Sequence, residues 1–328
     1  MNTQLSFLIP EFSLNSTELT ESDDAIFELK GTFEEILLLG ANVPIAAKLI
    51  SPIDNQPQFC LELVHLHATR DHVVLMDPSL LQITPDEEIA LRTSVTETLE
   101  HFLGSVGQFY PHRWIYPAGE FATLLTHTPS LASGLNIDIW MPKDTHTLGL
   151  AKQWRRLQNE IQMIWHDHPV NEARLARGEL TINSIWLHGI GSVTDISQHP
   201  VLKDVHHLFS DHILASSLDA RITPLSLQNL IPTNNQHHFV FAQDLKPTQW
   251  DEYWNTSLHA FQQKTLDVIH LYRYHQGELQ HHVVYPKELK PGFFQNLFNK
   301  NTSKKQFPSW VEYAKKIYWN KYSESSCN

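Results

Sequence analysis

The stretch Trp154–Gly191, WRRLQNEIQMIWHDHPVNEARLARGELTINSIWLHGIG, reads as helix, junction, second helix and strand in immediate succession. Leu150, Trp154, Leu157, Ile161, Ile164 and Trp165 recur at the spacing of one apolar helical face, which predicts a helix over about Leu148–His166. Pro169 suits the first position of a short second helix, and Gly178 suits its stop. Ile182–His188 is then a strand whose near-continuous apolar run predicts burial on both faces, as in a parallel or mixed sheet. The strand closes on Gly189-Ile190-Gly191-Ser192.

The same alternation of strands and helices continues on both sides of this stretch. Thr84-Pro85-Asp86-Glu87 is a helix start, with a Thr cap, Pro at the first position and Glu at the third. Leu91, Val95, Leu99, Phe102 and Leu103 give this helix one apolar face, and Gly104 stops it. Cys60–His67 reads as a strand paired with His72–Met76, and short strands are expected at His112–Tyr116 and Asn136–Trp140. Phe33–Leu49 carries one apolar helical segment. Beyond Gly191 the pattern predicts a helix near Val201–Leu214, a strand at His238–Ala242 and a helix at Pro247–Gln263. A hairpin of Asp267–Tyr274 with Leu279–Tyr285 follows.

This order predicts an α/β fold, a mixed sheet flanked by helices, with a smaller α+β N-terminal part. Four segments are anticipated: an N-terminal extension over 1–57, an α+β subdomain over 58–145, an α/β region over 146–290 and a basic, aromatic tail over 291–328.

The chain has 328 residues, 41% hydrophobic and 18% charged, which is a globular composition with ample material for a core. Its net charge of −12 argues against a general nucleic-acid binder, whose footprint is a broad basic surface. The 21 histidines are scattered along the chain and read mainly as ordinary surface and core residues. Two cysteines, Cys60 and Cys327, build neither a disulfide framework nor a zinc knuckle, which suits a reducing cytoplasm. No stretch approaches a membrane span and the opening MNTQLSFLIPEF lacks a signal-peptide pattern, so a soluble cytoplasmic protein is expected.

No GxxxxGK[ST], GxGxxG, GxSxG or HExxH occurs, which sets aside P-loop NTPases, dinucleotide enzymes, α/β-hydrolases and zincins. Chemistry therefore centres on the opening stretch. Arg156, Glu160 and Asp167 fall near one helical stripe, where the plain reading is a solvated face with an ion pair of a few tenths of a kcal/mol. His166, Asp167 and His168 sit where the helix ends, so a metal there requires partial unwinding. The Gly189–Ser192 turn follows a buried strand, where free backbone N–H groups meet anions. Asn171, Arg174, Arg177 and Asn183 lie just upstream and complete a phosphate or carboxylate cradle, or equally serve helix surface and turn geometry.

The run His168-Pro169-Val170-Asn171, Arg177-Gly178 and Asn183–Gly191 resembles a stretch of the archaeal-type cofactor-independent phosphoglycerate mutases, members of the alkaline phosphatase superfamily. Together with Glu62–Leu66 and Arg113-Trp114, the block is also similar to a bacterial family of RpfE-type regulatory proteins, also labelled phosphoglycerate mutases, over residues 60–285. The mutase resemblance implies two divalent metals held by Asp and His, and a Ser nucleophile. It also implies an N-terminal Asp-Gly and a late Asp-His followed by a small hydroxyl residue. Here the N-terminal region offers Asp23-Asp24, and the Asp-His pairs at Asp71, Asp167 and Asp211 are followed by Val73, Pro169 and Ile213.

Three readings follow. In the first, the chain is a mutase-like protein without the two-metal centre that binds a small phosphorylated or carboxylate metabolite, as a regulatory protein. Asn171, Arg174, Arg177, Asn183, Gly189, Gly191 and Ser192 then line the pocket, with His168 and Asp167 as the candidate catalytic pair. In the second, the chain is an active mutase or phosphatase using Mn²⁺ or Mg²⁺, with ligands drawn from His166, Asp167, His168, Asp195, His206, His207, Asp211 and His212. In the third, the tail Pro291–Tyr322 docks a protein partner.

Overall fold

The computed structural model describes residues 2–9, 29–50, 55–211, 215–233, 235–242, 245–275, 278–289, 310, 313 and 317–323. In chain order the first strands and helices are β1 (Gln4–Leu8), α1 (Phe33–Leu39), α2 (Ile45–Leu49), β2 (Gln58–Val64), β3 (Leu66–Ala68) and β4 (Val73–Leu75). Then come α3 (Pro85–Leu103), β5 (Gln108–Tyr110), β6 (Arg113–Pro117), α4 (Pro129–Ala132), α5 (Leu150–His166), α6 (Pro169–Ala176) and β7 (Ser184–Gly191). The last are β8 (His207–Phe209), β9 (Ile222–Thr223), β10 (His237–Phe241), α7 (Pro247–Gln263), β11 (Val268–His275), β12 (Glu278–Val284) and β13 (Asn320–Lys321). The chain divides into two compact units, Met1–Thr17 with Pro200–Asn328, and Glu18–His199.

The first unit is built on a seven-stranded sheet in the order β13-β12-β11-β1-β10-β8-β9. β11, β1, β10, β8 and β9 run parallel, while β12 and β13 add antiparallel at one edge. β1 is central and buried on both faces. Leu5, Phe7 and Ile9 join Val240, Ile269 and Leu271 against Trp250, Trp254 and Leu258 of α7, while Ser6 points the other way. Trp310 of the tail is buried in this core, stacked on Trp250 at 5.0 Å, and its N–H donates to Asp251 Oδ1 at 2.7 Å. The tail is thus seated on its own unit at this point, while Phe293, Phe294 and Phe298 lie outside the described residues.

The second unit carries an antiparallel sheet in the order β5-β6-β2-β7. Strict alternation sorts its faces. Phe59, Leu61, Leu63, Trp114, Tyr116, Ile185 and Leu187 pack on α3 and α5 through Leu91, Val95, Leu99, Trp154, Leu157, Ile161 and Trp165. On the other face Cys60 and Ile115 meet Ala46 and Ile50 at α2. α3 begins with the expected capping box of Thr84 and Glu87 and ends at Gly104 in the left-handed region.

The α/β class with a mixed, helix-flanked sheet holds, but several expected elements differ. β7 is buried on both faces, as its apolar run predicts, yet it belongs to the antiparallel sheet, where α5 covers one face and α2 approaches the other. β2 pairs with β6 and β7, and the Val73–Leu75 strand pairs with β3 instead. Asn136–Trp140 is a 3₁₀ turn at Ile137–Ile139, because the Asn136 side chain accepts from the Asp138 N–H. Phe33–Leu49 is two helices, broken where Gly40 adopts φ +94° and Pro44 follows. The stretch from Val201 holds a 3₁₀ turn at Pro200–Leu202 and then β8, and residues 212–214 lie outside the described residues. The anticipated boundaries at 57/58 and 145/146 both fall inside the second unit. Among the described residues no helix is long and apolar enough to cross a membrane.

Candidate functional site

The polar groups upstream of β7 are committed to the chain itself. Asn171, at the buried side of α6, donates to the carbonyls of Trp165 at 2.8 Å and Ile182 at 2.9 Å and accepts from the Ile182 N–H at 2.8 Å. Arg174 is 1% exposed; it donates to Leu180 O at 2.6 Å, to Glu87 Oε2 at 2.8 Å and to Leu81 O. Arg177 pairs with Glu87 and Glu179, each at 2.7 Å. Both arginines thus converge on Glu87 in the first turn of α3, bracing α6 against it. Asn183 brackets Leu66, accepting from its N–H at 2.8 Å and donating to its carbonyl at 2.9 Å.

His168 and Asp167 stand side by side at the α5–α6 junction in different surroundings. His168 caps α6, its Nδ1 accepting from the Val170 N–H at 3.2 Å, and burial pushes its imidazole below the ordinary value. Asp167 faces solvent with 92% of its side chain exposed, 3.8 Å from the equally exposed His166.

At the far end of β7 the glycine turn is filled from within. Asp195 Oδ2 accepts from the Ser192 N–H at 2.7 Å and from its hydroxyl at 2.8 Å, taking the place an external anion would occupy. Gly189, at φ +65°, lies under Ile45, and Gly191 lies under Pro44. Asn183 and Ser192 flank an extended strand, so they stand roughly 25–30 Å apart. The residues read from the sequence as one cradle are therefore not brought together.

The alternative ligands are dispersed as well. Asp195 caps Ser192, His206 Nδ1 accepts from the His237 N–H at 3.1 Å, and Asp211 Oδ1 accepts from the Leu225 N–H at 3.2 Å. His207 packs its ring on His238 at 5.1 Å, and His212 lies outside the described residues. Among the described residues no three His, Cys, Asp or Glu side chains gather to hold a metal.

Two buried clusters escaped the sequence reading. In the second unit, Glu62 Oε2 lies 3.2 Å from His188 Nε2 and 3.6 Å from Arg113 Nε. Burial pushes the His188 imidazole down, but Cys60 and Glu62 outweigh it and hold the ring at about 9. In the first unit a row of histidines crosses the sheet. Ser6 Oγ and His237 Nε2 are 2.7 Å apart, the His237 and His270 rings are 6.1 Å apart, and His270 Nδ1 meets His281 Nε2 at 3.0 Å. Burial, reinforced by neighbouring histidines, pushes His237 to about 4, His270 to about 3 and His281 to about 4. The signal for both clusters is period two: Cys60 and Glu62 alternate with Phe59, Leu61 and Leu63, as His270 and Tyr272 alternate with Ile269 and Leu271.

The parallel sheet of the first unit marks a third locus. The chain leaving β1 re-enters the sheet at β8, beyond β10, whereas the chain leaving β10 passes through α7 to β11, beyond β1. The strands beside each other thus send their connections to opposite sides, which makes a switch point at their carboxyl ends. There the Ala242 N–H donates to Leu8 O at 3.0 Å and the Ile9 N–H to Tyr272 O at 2.9 Å. Asp211 stands exposed just beyond β8. Glu11 and Asp244, which follow β1 and β10 in sequence, lie outside the described residues.

A Geobacter sulfurreducens protein described as a "probable 2,3-bisphosphoglycerate-independent phosphoglycerate mutase" is 30% identical over 142 residues, covering 40% of this chain and 33% of that protein. The chain therefore matches about a third of the length of this curated relative. Among solved structures, a cofactor-independent phosphoglycerate mutase from Thermoplasma acidophilum aligns at a TM-score of 0.33 and 13% identity, over 83% of this chain and 87% of that one. A Pyrococcus horikoshii protein aligns at 0.35 and 10%, over 83% and 82%. No protein-family model matches.

Proposed function

We propose that this chain is a cytoplasmic phosphoglycerate-mutase-like protein of the alkaline phosphatase superfamily type. It binds a small phosphorylated or carboxylate metabolite outside the carboxyl ends of β1 and β10. The observation that carries this reading is the switch point between those strands, since ligands of open α/β sheets bind in that crevice. The partial sequence likeness to a phosphoglycerate mutase supports the class of ligand. The stretch Asn171–Ser192 serves as a brace within the second unit, because its donors and acceptors are taken by backbone, Glu87 and Asp195.

The two metals that the mutase resemblance implies do not fit the described donor set at this edge. Asp211 is the one described carboxylate immediately following β1, β8 or β10, and its Oδ1 already accepts a backbone N–H. β1 runs on as Leu8-Ile9-Pro10-Glu11, where the resemblance implies Asp-Gly. A regulatory role is in keeping with the RpfE-type resemblance.

Calorimetric titration of the full chain with each phosphoglycerate isomer, followed by a mutase assay with added Mn²⁺ or Mg²⁺, tests the reading. Saturable binding without turnover supports it. Metal-dependent turnover favours the active mutase instead, and no binding of either isomer overturns the ligand assignment.

A further inference from the structure

Cys60, Glu62, Arg113 and His188 share one face of the four-stranded sheet, and none is more than 3% exposed. Cys60 and His188 are direct partners in the β2–β7 ladder, so their side chains stand beside each other. His188 Nε2 in turn lies 3.2 Å from Glu62 Oε2, and Arg113 holds the same carboxylate oxygen at 3.6 Å. Thiol, imidazole and carboxylate thus follow one another along one face, in the order of a nucleophile, its proton-transfer partner and the group that orients that partner, and both imidazole nitrogens of His188 are buried without a hydrogen bond.

Among the described residues, α2 supplies part of the cover over this cluster. Ala46 and Ile50 of the α2 region pack on Cys60 and Ile115. α2 has five residues and no side-chain cap, and a helix so short is held by packing alone. Just before it Val43, a β-branched residue, sits at φ +46°, in the left-handed region that such residues avoid. Opening of this segment is a local event, with no need to unfold the sheet beneath.

We propose that Cys60, His188 and Glu62 form a thiol site gated by α2, which reacts with a small peroxide. Cys60 passes its thiol proton to His188 and attacks one peroxide oxygen, forming the S–O bond as the O–O bond breaks. Cysteine is oxidised by two electrons to the sulfenic acid, and peroxide is reduced. The leaving hydroxide takes the proton of the His188 imidazolium and departs as water. The imidazole beside the thiol, held charged by Cys60 and Glu62 together, suits that role of acid and counter-charge.

The test uses the full chain with Cys327→Ser, which leaves Cys60 as its one thiol. Hydrogen peroxide is added, the sulfenate is trapped with dimedone, and the adduct at Cys60 is followed by mass spectrometry against the global unfolding rate. The expected rate exceeds global unfolding, falls again as pH rises through about 9, and drops about a hundredfold in His188→Gln. Labelling that tracks global unfolding, or that rises with pH like an ordinary thiol, overturns the proposal. If His188→Gln does not fold, the pH profile of the Cys327→Ser chain decides by itself.

Discussion

Gly191 lies directly against Pro44: a Cβ on the glycine would stand 2.7 Å from the proline Cβ and 3.2 Å from Asp195 Oδ2. The Gly-x-Gly at the end of β7 is thus a packing device that lets the α2 segment lie close on the strand. Gly191→Ala is expected to destabilise the second unit by about 1–3 kcal/mol, because the proline ring does not yield. Urea denaturation measures this, and ligand affinity should stay unchanged.

Asn171 satisfies three buried backbone groups at once. Asn171→Ala leaves them without partners and is expected to cost about 2–4 kcal/mol, whereas Asn183→Ala, at a half-buried clip, costs less. Removing Arg174 leaves two carbonyls without their donor and Glu87 with Arg177 alone, with an expected loss of about 2–4 kcal/mol in Arg174→Ala. Denaturant midpoints check the order of these losses. Phosphoglycerate affinity unchanged in those variants that fold separates brace from binding site.

Acid should weaken the first unit through its histidine row. His237, His270 and His281 sit at about 4, 3 and 4 when folded, against about 6.5 when unfolded, so the unfolded chain binds more protons between these values. Their contribution is therefore fully present above about pH 6.5 and is lost as pH falls towards 4. Near pH 5, unfolding should take up close to one proton per ring, read as the slope of stability against pH. His270→Gln combined with His281→Gln should flatten that slope.

Alkali should weaken the second unit instead. His188 is held at about 9 when folded, so its contribution is full below about pH 6.5 and disappears as pH rises through 9. Unit-specific hydrogen exchange at pH 7 and pH 9 reads this loss, and Glu62→Gln should weaken the dependence while Cys60 keeps part of it.

Local signals in the sequence placed individual elements well. Thr84-Pro85 with Glu87, the apolar face of α5, Pro169, and α7 at Pro247–Gln263 carry their boundaries in caps and periodicity. What they do not encode is which strands meet. β2 and β7 are far apart in the chain, and burial on both faces looks alike in parallel and antiparallel sheets. The partners of the candidate pocket residues were hidden for the same reason. Arg174 and Asn171 look like anion donors until Glu87, Leu180 and Ile182 are seen to occupy them. The buried charges of Glu62, Arg113 and His188 come from three strands, and period two places each on a face of its strand without announcing that they meet.

Hydrogen exchange of the full chain with and without saturating phosphoglycerate tests the central claim most directly. Backbone amides around Ile9, Ser210–Asp211 and Ala242, at the carboxyl ends of β1, β8 and β10, are expected to gain protection, with no gain in Asn171–Ser192. Protection confined to Asn171–Ser192, with the ends of β1, β8 and β10 unchanged, would contradict it.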